Sequence, residues 1–205
     1  MNNSALVFNR SDAFAVSKVI SGSGSLTKLG AGALTLTGNN AYSGVTRVDQ
    51  GTLVIGDGGA IDGSLVISIG TGAGSSAGMV VRANNGGGTV RGVSEIDVGL
   101  SGSGGLSVIN AGNVESFRSR IGLNSGSTGT LTVDGLGSAL TLDQLGVGGA
   151  GTGSMTISNG ATVRSVTSVI GAGPSGIGTV VVDGAGSSWT NLSRSTGLIV
   201  GNSGT

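Results

Sequence analysis

The chain has 205 residues, of which 44 are glycine and one is proline, with 10 basic and 10 acidic side chains, 2% aromatic residues and no cysteine or histidine. Without Cys or His it can build no zinc cluster, disulfide, thiol nucleophile or imidazole base, and zero net charge with few aromatics offers neither a field nor a stacking surface for nucleic acid. No run of about 18 apolar residues is present to cross a membrane as a helix, and MNNSALVFNRSDAF lacks the basic and apolar regions of a signal peptide.

Residues 1–21 read as an irregular first coil: Ala5 to Phe8 and Phe14 to Val16 alternate in polarity around a polar turn, and Phe8 and Phe14 are expected to plug an open end. Residues 22–56 hold strands of four or five residues separated by Gly and Asn corners. Thr and Val suit a pleated surface there, and Gly and Asn accept the positive φ that corners demand. Residues 57–103 are less regular, with strands expected at Leu65 to Ile69, Met79 to Arg82 and Thr89 to Val98.

From 104 to 205 the pattern is periodic. GTLTVDGLGSALTL begins at Gly129, GSMTISNGATV at Gly153 and GTVVVDGAGSSWT at Gly178, steps of 24 and 25, with Gly104 another 25 upstream. Asp183-Gly184 stands where Asp134-Gly135 stood, and Trp189 stands where Leu140 did. An apolar residue and glycine precede each copy: Val98-Gly99, Ile121-Gly122, Val147-Gly148 or Leu145-Gly146, Ile170-Gly171 and Val200-Gly201. The 30 residues from 170 to 200 imply a loop insertion near Asn191 to Ser195. An Asp-Gly pair between alternating strands is ordinarily a hairpin signal, but a period in the twenties makes it the corner of a solenoid coil. The expected fold is all-β, a right-handed parallel β-helix of about eight coils of roughly 24 residues. The chain ends as another such strand would begin, and Met1 reads as an added start, so it is expected to be an excerpt from a longer repeat protein.

Gly24, Leu26, Lys28, Gly30, Gly32, Leu34, Leu36, Gly38, Asn40, Tyr42, Gly44, Thr46, Val48, Gly51, Thr52 and Leu53 together resemble the passenger-associated transport repeat, or autotransporter-associated β-strand repeat, of type V secreted bacterial proteins. The later copies look like tandem repeats of large adhesin-type passengers. The resemblance implies export through periplasm and outer membrane to the cell surface, which an absence of cysteine suits. It implies an adhesin or stalk that associates with itself between cells or attaches to host glycans or proteins, with the repeat aiding secretion and folding. Two other readings are a purely structural spacer and a glycan-active β-helix enzyme whose active part lies outside this stretch.

Few residues offer chemistry. Stacking predicts a ladder of Asn110, Asp134, Ser158 and Asp183, in which the aspartates are turn formers capping amides. The calcium nonapeptide is absent. Glu95 and Asp97 share one strand face, with Arg91 and Arg82 expected on neighbouring coils. That mix resembles the acidic and basic groups of β-helix polysaccharide lyases, yet it also reads as a solvated face of exposed ion pairs. Arg118 and Arg120 form a small basic spot suited to an anionic glycan, or a plain surface strand. Asn191 and Arg194, in the inserted loop, complete the candidate ligand or self-association surface, and Trp189 packs on the core or offers a stacking platform. The remaining singled-out positions, Gly30, Gly32, Gly38, Asn40, Tyr42, Gly44, Gly51, Asp134, Gly135, Asp183 and Gly184, read as structural. Serines are many, but none has an activating base. No catalytic residue, cofactor, metal, nucleic-acid partner or membrane insertion is expected.

Overall fold

The computed structural model describes residues 4–56, 58–83, 86, 88–193 and 197–201. After β1 (Ala5–Phe8), the first coil holds three short strands, β2 (Phe14–Val16), β3 (Ser21–Gly22) and β4 (Ser25–Lys28). Two coils repeat it with β5 (Ala33–Leu36), β6 (Asn39–Tyr42) and β7 (Thr46–Val48), then β8 (Gln50–Ile55), β9 (Ala60–Asp62) and β10 (Val66–Ile69). Beyond them two faces fuse into one long strand: β11 (Ser76–Arg82) is followed by β12 (Thr89–Val98), which pairs with both β9 and β10. The same pairing of a short and a long strand recurs in β13 (Ser103–Ile109) and β14 (Asn113–Ile121), β15 (Thr128–Asp134) and β16 (Ala139–Val147), and β17 (Thr152–Ser158) and β18 (Thr162–Ile170). The last described coil carries β19 (Ile177–Val182), β20 (Ser188–Asn191) and β21 (Leu198–Val200).

Every strand pair is parallel, and partners belong to successive coils. One sheet runs β2-β5-β8-β11-β13-β15-β17-β19, and the other follows β1-β4-β7-β10-β12-β14-β16-β18-β20. No helix occurs among the described residues. The chain is therefore a parallel β-solenoid, and Asp134-Gly135 is a corner: β15 pairs with β13 and β17, not with β16.

Coil length is less even than a uniform repeat of 24. Leu6 opposes Leu26, which opposes Thr46, steps of 20 residues. Ile67 opposes Ile96, a step of 29, and Leu131 opposes Met155, a step of 24. The first coils are short because strands of two to four residues meet at tight glycine corners. The 30-residue step from Ser168 to Leu198 places the expected insertion between β20 and β21.

The core is a set of apolar ladders one side chain wide. Leu34, Leu53, Met79, Leu106, Leu131 and Met155 stack through six coils, beside Leu36, Ile55, Val81, Val108, Val133 and Ile157. All twelve are buried. Each contributes roughly 1.5–3 kcal/mol on burial, but only because a neighbouring coil covers it. Val182, in register with fully buried Ile157, is 47% exposed at the last described coil. At the other end Phe8 packs partly against the core, whereas Phe14 lies outside it, 6.2 Å from Phe8 and beneath the Arg10 guanidinium at 4.9 Å.

The apolar-glycine corners carry a steric requirement. Gly122 and Gly148 have φ of 67° and 74°, and a side chain on either would overlap the main chain of the coil ahead, at Thr152 and Ile177 respectively. Between the two alternatives in that coil, Gly148 is the corner. Gly146 faces outward, where a Cβ would lie 3.9 Å from Arg120 Cγ in ordinary contact.

Candidate functional site

Each long strand bends midway. In β14, Ser116 and Ser119 both point inward, so Phe117 and Arg118 between them both face out. The register passes from Ser116 opposite Leu142 to Arg118 opposite Gln144, leaving Phe117 and Asp143 at the convex edge. The inward serines bond to one another: Ser116 to Ser119 at 3.0 Å and Ser165 to Ser168 at 2.9 Å.

Beyond the bend, four charges meet on one face. Glu95 and Asp97 of β12 lie in register with Arg118 and Arg120 of β14. Arg118 Nε and Nη2 donate to Glu95 Oε2 at 3.0 and 2.6 Å, and Arg120 Nε donates to Asp97 Oδ1 at 2.8 Å. Arg120 Nη2 also reaches Glu95 Oε1. Asp97 is only 3% exposed, and its burial pushes its carboxyl pKa up despite the opposing pull of Arg120. The basic spot expected at Arg118 and Arg120 is thus matched by the carboxylates of the preceding coil. Arg91, expected among them, pairs with Asp62 at 2.7 Å on the far side of the bend, and Arg82 ends β11 in the other sheet. Four paired charges bind one another tightly but aim no carboxylate at a vacant point, and no group of three or more potential metal ligands occurs among the described residues.

On the bend itself, an open groove of about 390 Å³ crosses β12, β14 and β16. Ser94, Glu115, Phe117, Thr141 and Asp143 line it, together with the buried wall behind them. Sequence reasoning passed over Phe117. The available signal was Ser-Phe-Arg-Ser, two outward residues between two inward ones, which marks a bend rather than a straight alternating strand.

At the end of β20, where the insertion begins, Asn191 Nδ2 donates to Ser168 Oγ at 3.2 Å and to Gly197 O at 3.3 Å, while its Oδ1 accepts from Ser193 N at 3.1 Å. These bonds tie the loop to the preceding coil. Arg194 lies outside the described residues. Trp189 opposes Val163, packs against the core and donates through Nε1 to Ser165 Oγ at 2.9 Å.

The corner ladder forms with a different first member. Ile109, not Asn110, opposes Asp134, which opposes Ser158. Inward Leu106 and Val108 lock onto Leu131 and Val133, and this period-two match sets the register. Asn110 falls one place later, with φ 51°. Asp134 Oδ1 accepts from Ser158 Oγ at 2.6 Å and Asn159 Nδ2 at 2.7 Å, and these bonds hold its carboxyl below the usual carboxylate range. Gly135 and Gly184 take φ of 89° and 81° in their corners, while Asp183 N donates to Ile157 O at 2.8 Å.

The early repeat residues are structural in a specific sense: they fasten one coil to the next. Side chains at Gly30, Gly32 and Gly44 would overlap the backbone of Arg10, Asp12 and Gly24 in the preceding coil, and a Cβ at Gly38 would lie 2.9 Å from Lys18 O. Gly51 adds a φ of 66°. Buried Asn40 spans three coils: Oδ1 accepts from Ile20 N at 3.0 Å, and Nδ2 donates to Gly38 O at 2.7 Å and Ala60 O at 2.9 Å. Buried Tyr42 bonds through its hydroxyl to Thr46 Oγ1 at 2.7 Å, Thr46 to Ser64 Oγ at 3.0 Å, and Ser64 donates to Gly44 O at 2.9 Å. Burial pushes the Tyr42 phenol up to about 12. Lys28, 1% exposed, donates to the carbonyls of Gly30 and Gln50, and burial lowers its pKa.

Comparison with known proteins agrees with this division. The family model of the passenger-associated-transport-repeat matches residues 26–55. An extracellular serine protease of Serratia marcescens is 54% identical over 50 residues, a stretch covering 24% of this chain and 4% of that protein. No solved structure matches. The fastening residues Lys28, Asn40, Tyr42 and Gly44 all fall within the family match, so what it describes is coil architecture, and residues 26–55 are an autotransporter passenger repeat built into the first coils of a parallel β-solenoid.

Proposed function

We propose that this chain is part of a surface-displayed or secreted autotransporter passenger that serves as an adhesive stalk, joining side to side with copies of itself between cells. The observation that supports this reading is a flat face whose two central outward rows carry no charge, with Arg82 and Asp134 in the row at its edge. Along the eight-stranded sheet, the outward row Thr52, Gly78, Gly105, Thr130, Ser154 and Thr179 runs beside Thr35, Val54, Val80, Ser107, Thr132, Thr156 and Val181. Neither row holds an ionisable side chain, so two copies meeting along these rows bring no like charges together, and many weak contacts add up to avidity. Export is the common setting of the repeat's family. Addition of one coil at a time onto a folded end is the folding mode of a solenoid, and it suits a chain emerging from a pore.

The test is aggregation of cells displaying the chain. Thr130→Glu with Thr156→Glu puts carboxylates into both mating faces of a self-pairing contact. Clumping is expected to fall sharply while surface display stays constant. Undiminished clumping refutes the self-association reading.

A further inference from the structure

The groove over the bend differs from the uncharged face in every respect that matters for a ligand. The chain has five aromatic side chains. Phe8 and Phe14 lie against each other, Tyr42 is fully buried, and Trp189 packs on the core. Phe117 alone stands 52% exposed in mid-rod, with no ring or cation partner among the described residues. Its backbone stacks between Gly92 to Ser94 on one coil and Asp143 on the next, so the ring lines a shallow, open depression that crosses three coils.

Polar groups flank that ring in an ordered way. Glu115 and Thr141 are opposite one another in register on one side of the bend. Asp143 and Ser94 line the groove beside the ring. Glu115 accepts one bond, from Asn113 Nδ2 at 3.4 Å. Arg118 and Arg120 are held by Glu95 and Asp97 and Arg91 by Asp62, and the cations that flank the groove are Arg91, which also acts on Glu115, and Arg164, in register beside Thr141 on the next coil. The groove therefore presents one apolar ring, two carboxylate acceptors and two hydroxyls, spread over three coils at the coil spacing of ~4.8 Å.

From this lining we infer that the groove is a binding subsite for an extended, uncharged oligosaccharide lying along the rod axis, with one sugar ring stacked on Phe117 and its hydroxyls donating to Glu115 and Asp143. A pyranose offers an apolar C–H face to a ring and hydroxyl donors at its edge, and bonds from neutral hydroxyls to carboxylates are among the stronger hydrogen bonds. Acidic glycans are disfavoured, because they would bring carboxylates or sulfates directly against Glu115 and Asp143, while Arg91 and Arg164 flank the groove outside that contact. This reverses the preference expected from Arg118 and Arg120 as a basic spot. The subsite is independent of the uncharged face, which lies on the other sheet.

The test is saturation-transfer NMR on the purified 205-residue chain with cellohexaose, and with a polygalacturonate oligosaccharide of similar length for comparison. Binding with a Kd on the order of millimolar is expected for one open subsite. Phe117→Ala is expected to weaken cellohexaose binding at least tenfold and Phe117→Trp to retain it, with circular dichroism unchanged because the side chain is exposed. Glu115→Gln with Asp143→Asn, which leaves the ring in place, is expected to narrow the gap between the neutral and acidic oligosaccharides. Absence of cellohexaose binding, equal binding by Phe117→Ala, or preference of the wild-type chain for polygalacturonate overturns the inference. Because the readout is ligand binding in solution, failure here is separate from failure of the cell-aggregation test.

Discussion

Asn40 is where one substitution reports on the passenger repeat most directly. In Asn40→Ala, the buried amide of Ile20 loses its acceptor, and Gly38 O and Ala60 O each lose a donor. Gly38 O keeps Ala60 N at 3.1 Å, so that loss is partial. An orphaned buried N–H costs about 1–3 kcal/mol, and each lost neutral hydrogen bond about 1 kcal/mol. The sum is roughly 2–5 kcal/mol, confined to the coils that Asn40 joins. Urea denaturation followed by hydrogen exchange at Ile20 and Ala41 measures it, since Ala41 N donates to Ile20 O across the same two coils. Asn40→Asp separates the terms. It keeps an acceptor for Ile20 N but sets a carboxylate against two carbonyl oxygens, so it is expected to be at least as destabilising at neutral pH and to recover in part when protonated. A loss below about 0.5 kcal/mol for Asn40→Ala, with unchanged exchange at Ile20, refutes the role of Asn40 as a three-coil fastener.

Gly148→Ala is expected to cost on the order of 2 kcal/mol or more, from positive φ and overlap with Ile177, whereas Gly146→Ala stays within about 0.5 kcal/mol; paired denaturation curves decide. Asp97 has a folded pKa raised by burial, so its contribution to stability is fully present below the ordinary carboxylate range and is lost as pH rises through the raised value. Asp97→Asn is expected to remove that slope from a plot of denaturation midpoint against pH. Asp134 has the opposite sign: its lowered pKa gives stability that is present above the ordinary carboxylate range and is lost as pH falls through the lowered value. Ser158→Ala removes one of its two donors, and the Asp134 midpoint in an NMR titration is expected to move up.

Much of this fold is readable from one chain because a solenoid repeats its decisions. Gly129, Gly153 and Gly178 stack as spaced in the sequence, and the same period turned Asp134-Gly135 from a hairpin into a corner. What escaped was information carried between coils or by bends. Glu95 to Arg118 and Asp97 to Arg120 are both 23 residues apart, the local coil step, yet the charges nearest in sequence, Arg91 and Arg82, seemed the natural partners. The inward placing of Ser116 and Ser119 has no signal in polarity, because polarity alone cannot reveal that two serines will satisfy each other inside. The candidate groove depends on that same bend, and no alternating pattern encodes it.

The coil-to-coil architecture also governs how these features combine. Phe117 touches the coils of β12 and β16, whereas Asn40 joins the coils of Ile20 and Ala60, and the two sets abut at β9 and β12 but have no coil in common. In a quasi-one-dimensional array each coil senses its neighbours, so changes at the two sites are expected to add. The uncharged face and the groove lie on different sheets, and their outward residues do not alternate with each other along any strand. Core ladders are the elements shared by both. A substitution such as Leu131→Ala, buried between Leu106 and Met155, would loosen both surfaces at once, while outward changes at Thr130 or Phe117 alter one surface and leave the rod that carries the other.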